Sequence, residues 1–493
     1  MRTMETLSAL VSVCALFGCA AQSSTAPKEA ASGGEDAGAG TAPTPAAGKA
    51  MVRIVHASTD APNVDVYAKG SSTPIVGGIG YGQTSSWIEV DSGSVEVELR
   101  ASPSTSTSPL LYTTGPLTIP DQSNVTAVAA GLVASSNSGD SFRVIPLVNG
   151  YGPAAPETAR VRVLHAGADA PAVDLDLGND NPAAPEVTAL ARFGDTGESG
   201  ITLPAGQSIA LGIDVGGARV TAFTTPSLSD GGDLLVIATG LLGSLARQSS
   251  GFALLLVGPN GNLGFVKQDP IVYALHASPD APEVDAFVGE GKLIDGLSFG
   301  KLSAPIQVQP GAYPIDLFGH TPGSVRPAGE PVLSQSSGAL AAGERYLAIA
   351  TGFVAPPTGA KPLQLAVLRE AFELGDARAC LRAVHESPDA PAVDIGVVAG
   401  TSISPVLYAG LSFGDSSIEG GLEASPGQLP IGVATAGNDN RIVAQFRLTA
   451  TAGQRAFVIA EGALSPPTGA QAFRLGVVDT VANPWAVTHV FPQ

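Results

Sequence analysis

The chain predicts an all-β fold: four tandem antiparallel β-sandwiches, immunoglobulin-like in kind, behind a signal peptide and a flexible tether. Three observations carry that expectation. A ten-residue signature, His56-Ala57-Ser58-Thr59-Asp60-Ala61-Pro62-Asn63-Val64-Asp65, returns at 165–174, 276–285 and 385–394, always as His, three residues, Asp-Ala-Pro, one residue, Val-Asp. The copies stand about 110 residues apart, the size of an independent domain and well beyond the roughly 20 to 50 residues of a solenoid repeat. With 60 Gly and 39 Pro in 493 residues, 5% aromatic and 14% charged, the chain is turn-rich and strand-forming. Within the copies, apolar and polar residues alternate with the period of a half-buried strand.

Taken in order, residues 1–18 read as an export signal, with one basic residue, Arg2, before an apolar run at 7–17. That run is too short to span a bilayer, which takes about 20 apolar residues. It ends in Leu16-Phe17-Gly18-Cys19, which resembles the lipobox of bacterial lipoproteins. The resemblance implies cleavage before Cys19 and lipid attachment to its thiol, and Ala20 in place of an Asp implies an outer-membrane or surface address. Residues 19–50 hold little but Ala, Ser, Thr, Gly, Pro and acids, so they bury too little apolar surface to offset the entropy of ordering and read as a tether. The repeats follow at 51–153, 158–267, 270–369 and 378–481, joined by links short enough to suggest a semi-rigid rod of four separate cores. A tail at 482–493 fits no repeat.

Each repeat opens on a strand ending near the signature His, turns at Asp-Ala-Pro, and continues in a run such as Val64-Asp65-Val66-Tyr67, whose Val faces the core while the Asp faces away. An aromatic-Gly pair follows (Tyr81-Gly82, Phe193-Gly194, Phe299-Gly300, Phe413-Gly414), then further short strands, then the most apolar run, closing in Gly, at 125–131, 234–240, 346–352 and 457–462. One last strand completes seven or eight, with turn signals between them. By the signature, the aromatic-Gly pair and the apolar run closing in Gly, the chain resembles the bacterial family known as domain of unknown function 4397. The resemblance covers about 51–481 and implies a secreted or envelope-anchored protein with tandem copies; it implies no chemistry.

A formal net charge of −19 excludes nucleic acid, whose binding rests on Lys and Arg neutralising phosphates, and disfavours anionic lipid surfaces. The N-terminal lipid is then the membrane contact, and an envelope protein or polysaccharide the expected further partner. Of the three cysteines, Cys14 leaves with the signal and Cys19 is acylated, so Cys380 is expected to remain alone, a small buried apolar residue with no intrachain disulfide.

The candidate site residues are the signature His and Asp of each repeat: His56, Asp60 and Asp65; His165, Asp169 and Asp174; His276, Asp280 and Asp285; His385, Asp389 and Asp394. Their structural reading is a braced corner. The first Asp caps backbone N–H groups of a Pro-bearing turn, while His and the second Asp flank it, placed to bond to each other or to the loop. Four near-equal copies favour this, because a folding device is needed in every module and a catalytic site once. The runner-up is calcium on the paired carboxylates, stiffening an adhesin; two Asp fall short of the six to eight oxygens it takes, and one His per module falls short of zinc. No cofactor is expected. Gly296-Leu297-Ser298-Phe299-Gly300 and Gly410-Leu411-Ser412-Phe413-Gly414 match a nucleophile-elbow pattern that needs a strand-to-helix turn, and Gly80 and Arg192 take the Ser place in the first two modules. The function expected is therefore non-enzymatic: an envelope protein presenting loops at 101–109, 179–185, 320–331, 356–360 and 466–470. An envelope hydrolase would need a pocket that breaks the fourfold pattern.

Overall fold

The computed structural model describes residues 37–149, 154–372, 377–438 and 441–493; the proposed signal, Cys19 and most of the proposed tether lie outside them. Among the described residues there is no helix, and the fold is all-β. The first module holds β1 (Lys49–His56), β2 (Val64–Ala68), β3 (Val76–Ile79), β4 (Ile88–Asp91), β5 (Gly93–Val95), β6 (Val97–Ala101), β7 (Tyr112–Thr113), β8 (Leu117–Ile119), β9 (Asn124–Ala130) and β10 (Arg143–Asn149). One sheet runs β10-β9-β1-β4 and the other β3-β2-β6-β7, with β5 and β8 prolonging the β6–β7 ladder. The other modules repeat this plan.

The sandwich class is as expected, and its strand order is now explicit. The opening strand lies between β4 and β9, so the order is not that of a constant-type immunoglobulin domain, where the first strand neighbours the second. Among the described strands, pairing is antiparallel except for one pair in each module: β1 runs parallel to β9, as do their counterparts Thr158–His165 with Asp233–Thr239, Ile271–His276 with Arg345–Thr351, and Ala379–His385 with Arg455–Glu461.

The expectation of four separate cores on a rod is corrected. Along β1, Ala50, Val52 and Ile54 pack inside the sandwich, but Val55, with Ala57 just beyond, faces out into a second core. That core joins Val128, Ala130 and Leu147 of module one to Leu164, Leu235, Ile237, Leu255 and Val257 of module two. An equivalent core joins Tyr273, Leu275, Leu347 and Ile349 of module three to Val384, Phe457, Ile459 and Val478 of module four. The modules therefore pair back to back as two doublets, with the β10-β9-β1-β4 sheets inside. The cause is written in the apolar runs: a strand buried on both faces loses its alternation and reads as continuous hydrophobicity.

Polar contacts across the first doublet are reciprocal. Arg53 Nη1 donates to the Gly258 carbonyl, and Arg162 Nη1 donates at 2.7 Å to the Val148 carbonyl, the matching position of module one. Such i-to-j and j-to-i contacts define an approximate twofold axis. Arg382 repeats the bond to the Arg369 carbonyl in the second doublet. Tyr273 takes the arginine's place in module three and stacks on Trp485 at 4.3 Å. The tail thus joins the fold: Ala486–Val490 is a fifth strand on module four, as Gly261–Val266 is on module two. The tether's last stretch is also placed, since Ala37 is buried in the core of module two and accepts from Ser229 N–H.

Candidate functional site

Each signature His is the last residue of its opening strand and turns into the sandwich, almost wholly buried. Its Nε2 donates to the carbonyl of the signature Pro: His56 to Pro62 at 3.1 Å, His165 to Pro171 at 2.8 Å, His276 to Pro282 at 2.9 Å, His385 to Pro391 at 3.1 Å. Burial is the main influence on all four and pushes their pKa down, so the ring is neutral with its proton on Nε2. Nδ1 of His56, His165 and His276 has no hydrogen-bond partner.

The first Asp does the same work in every copy. Asp60 accepts from Val133 and Ala134 N–H at 2.9 and 2.8 Å, Asp169 from Leu242 and Gly243, Asp280 from Val354 and Ala355, and Asp389 from Leu464 and Ser465. These donors follow the Gly that closes the apolar run. That Gly is obligatory: Gly131, Gly240, Gly352 and Gly462 all have φ between 81° and 92°, and a Cβ there would lie 2.1 to 2.4 Å from a carbonyl oxygen. Ser58, Ser278 and Ser387 donate to the carbonyls of Gly131, Gly352 and Gly462, fastening the same joint; module two has Gly167 instead.

The second Asp braces the bulged neighbouring strand, with a loop besides in modules one, three and four; of the two expected alternatives for the signature His, the bond to the loop forms and the bond to this Asp does not. Asp65 accepts from Gly78 N–H and from both N–H and Oγ of Ser104; Asp174 from Ala189 N–H; Asp394 from Gly410 and Gly437 N–H. Asp285 takes Gly296 N–H, Thr321 N–H, His320 Nδ1 and Lys292 Nζ. Burial raises the Asp65 and Asp285 pKa values, yet these bonds outweigh it and hold both well below the ordinary carboxylate range. The two acids of a signature therefore do not converge. Among the described residues, one group has metal-ligand spacing, Asp285, Asp295 and His320. Lys292 already sits between its carboxylates at 2.9 and 2.7 Å, which is where a cation would have to be. The elbow-like serines lie in strand-to-turn segments: Ser298 Oγ donates to Glu283, and Ser412 N–H to Asp415.

Cys380 is buried in the core between modules three and four, and it is disulfide-bonded, which overturns the expectation that it stands alone. The other cysteines, Cys14 and Cys19, lie outside the described residues. Two further features escaped the sequence reading. The inter-module arginines Arg53, Arg162 and Arg382 are buried on their opening strands, and Glu386 and Glu461 are acids at fully buried seam positions where the other modules carry Ala or Thr. Glu461 accepts from Arg474 Nε at 2.7 Å, while both carboxyl oxygens of Glu386 lack a hydrogen-bond partner.

An all-β chain of repeated sandwiches, each turning on the same clamped corner, is the class these features define. The chain belongs to the family described as Domain of unknown function (DUF4397), matched at residues 50–176 and 271–396. Each match starts in the leading module of a doublet and runs into the signature of the trailing one. No curated protein matches the chain. Among solved structures, the Bacillus anthracis TIE protein aligns over 83% of this chain and 67% of its own, at 8% identity and a TM-score of 0.14, a likeness that carries no argument.

Proposed function

We propose that this protein is a non-enzymatic component of the cell envelope, lipid-anchored through Cys19 at the outer membrane or cell surface, presenting two rigid sandwich doublets to an envelope protein or polysaccharide. The observation that supports this most is the use of the signature. In all four modules the Asp oxygens are taken by backbone N–H donors and the His by a Pro carbonyl, so the one conserved polar feature of the repeat is spent on holding the loop after the apolar run. A calcium ion there would have to share those oxygens with the N–H donors and would gain from them two of the six to eight ligands it takes. The doublets, closed by apolar sheets, suit a spacer that keeps its shape while its end loops make contact.

The lipid reading makes a sharp demand on the cysteines: the disulfide at Cys380 needs a thiol that is lost when Cys14 leaves with the signal and Cys19 is acylated, so the anchored protein must carry Cys380 unpaired. Mass spectrometry of protein extracted from its own membranes tests it: the N-terminal tryptic peptide, 19–28, is expected to carry diacylglycerol, with Cys380 a free thiol on unfolding. An unmodified Cys19, or one linked to Cys380, overturns the anchor.

A further inference from the structure

Module four contains a cavity between its sheets that is more than three times the volume of its counterpart in module three. It lies between the module's two sheets, has a volume of about 280 Å³, and is walled by side chains such as Leu381, Leu411, Ile431, Val433, Leu448 and Phe473. Two positions explain it. Two residues before the signature His stands Ile54 in module one and Val163 in module two, but Ala383 here. Across the sheet, the residue that pairs with the start of the opening strand is Val90, then Leu203, but Ala424 here. Module three has only the first change, Ala274, and keeps Val308; its cavity is about 80 Å³. The void therefore grows as the side chains that would fill it are cut back, in a fold whose interiors otherwise pack densely.

The shape of the space selects its occupant. Along one strand the wall runs from Leu381 to His385 and along another from Leu429 to Val433 and Thr435, a length of about 13 to 20 Å at the rise of a strand. Spread over that length, the volume leaves the girth of one hydrocarbon chain; it is about twice the 150 Å³ cavity that takes a benzene. One end opens at the signature corner between Leu464 and Val443, which are 44% and 48% exposed. Arg441 stands at the same end, exposed and with no ion pair among the described residues, in a chain of net charge −19. Both ring nitrogens of the buried His385 are engaged with backbone, at the Pro391 carbonyl and Ser387 N–H, so no base is free to activate Thr435, the one hydroxyl of the lining, and the site binds rather than cleaves.

We propose that module four binds a single-chain anionic amphiphile of the fatty-acid type, its alkyl chain between the sheets and its carboxylate at Arg441. This stands apart from the anchor at Cys19, and neither idea falls with the other. Calorimetric titration of the full chain with dodecanoate tests it. Saturable binding at one site is expected, with Arg441→Gln weakening it about three- to fivefold while leaving dodecanol unaffected, as for an exposed ion pair. The double substitution Ala383→Val with Ala424→Leu restores side chains that module two already holds, and is expected to abolish binding with the melting temperature unchanged or raised. Should that variant fail to fold, a crystal structure of the unaltered protein grown with dodecanoate serves: density for the chain between the sheets supports the proposal. No saturable binding, binding undiminished in the filled variant, or dodecanoate seated elsewhere overturns it.

Discussion

Asp60 holds two successive N–H groups of the chain that leaves Gly131, at a joint exposed enough for water to compete. Its loss is therefore felt more as local opening than as global unfolding. Asp60→Ala is expected to lower stability by about 1 to 2 kcal/mol and to speed hydrogen exchange at Val133 and Ala134, with Asp60→Asn between the two because it keeps one acceptor. Unchanged exchange at those amides in Asp60→Ala would remove the clamp from this account. The corner itself was legible in sequence, since Asp before Ala-Pro is a turn signal with a mechanism. What the Asp clamps was not, because its donors lie more than 70 residues away. Nor was the role of Asp65, whose partners are Gly78 in β3 and Ser104 in the loop after β6.

At the scale of strands, the alternation in Val64-Asp65-Val66 located a half-buried strand correctly, while the continuous runs at 125–131 and 234–240 carried a message read only as hydrophobicity. A run apolar on both faces needs cover on both faces, and here the cover is the neighbouring module. The buried arginines were illegible for a similar reason: Arg53 looks solvated until Trp87, 4.4 Å from its guanidinium, and the Gly258 carbonyl close over it. The seam also explains why Glu386 is anomalous. Burial pushes its pKa up to about 8, whereas the unfolded chain releases that proton near the ordinary value of 4.5. The folded state then binds the extra proton between those values, so this group's contribution to stability is fully present below about 4.5 and declines as pH rises to about 8, by at most about 1.4 kcal/mol per pH unit. Glu386→Ala, which installs the residue of the other three modules, is expected to flatten that decline and to raise stability at pH 8. Denaturant titrations of both proteins at pH 5 and pH 8 check it; identical pH slopes would show that the carboxyl is not buried as described.

For the whole molecule, the period and the sandwich class were legible because each module repeats its own local rules. The pairing of modules was not, because short links such as Gly150 to Thr158, between modules one and two, are equally compatible with a rod. Doublets change how the protein bears substitution: a residue on the outer face of a module becomes a core residue. Ile237 is the clearest example, fully buried between modules one and two while its neighbours Val236 and Ala238 fill module two's own interior. The most direct measurement is the denaturant stability of Ile237→Ala in the full chain. Back-to-back pairing predicts a loss of about 2 to 5 kcal/mol, the cost of a core truncation, with modules one and two unfolding together. Independent modules would leave that side chain in water, and a change within about 0.5 kcal/mol would contradict the doublet.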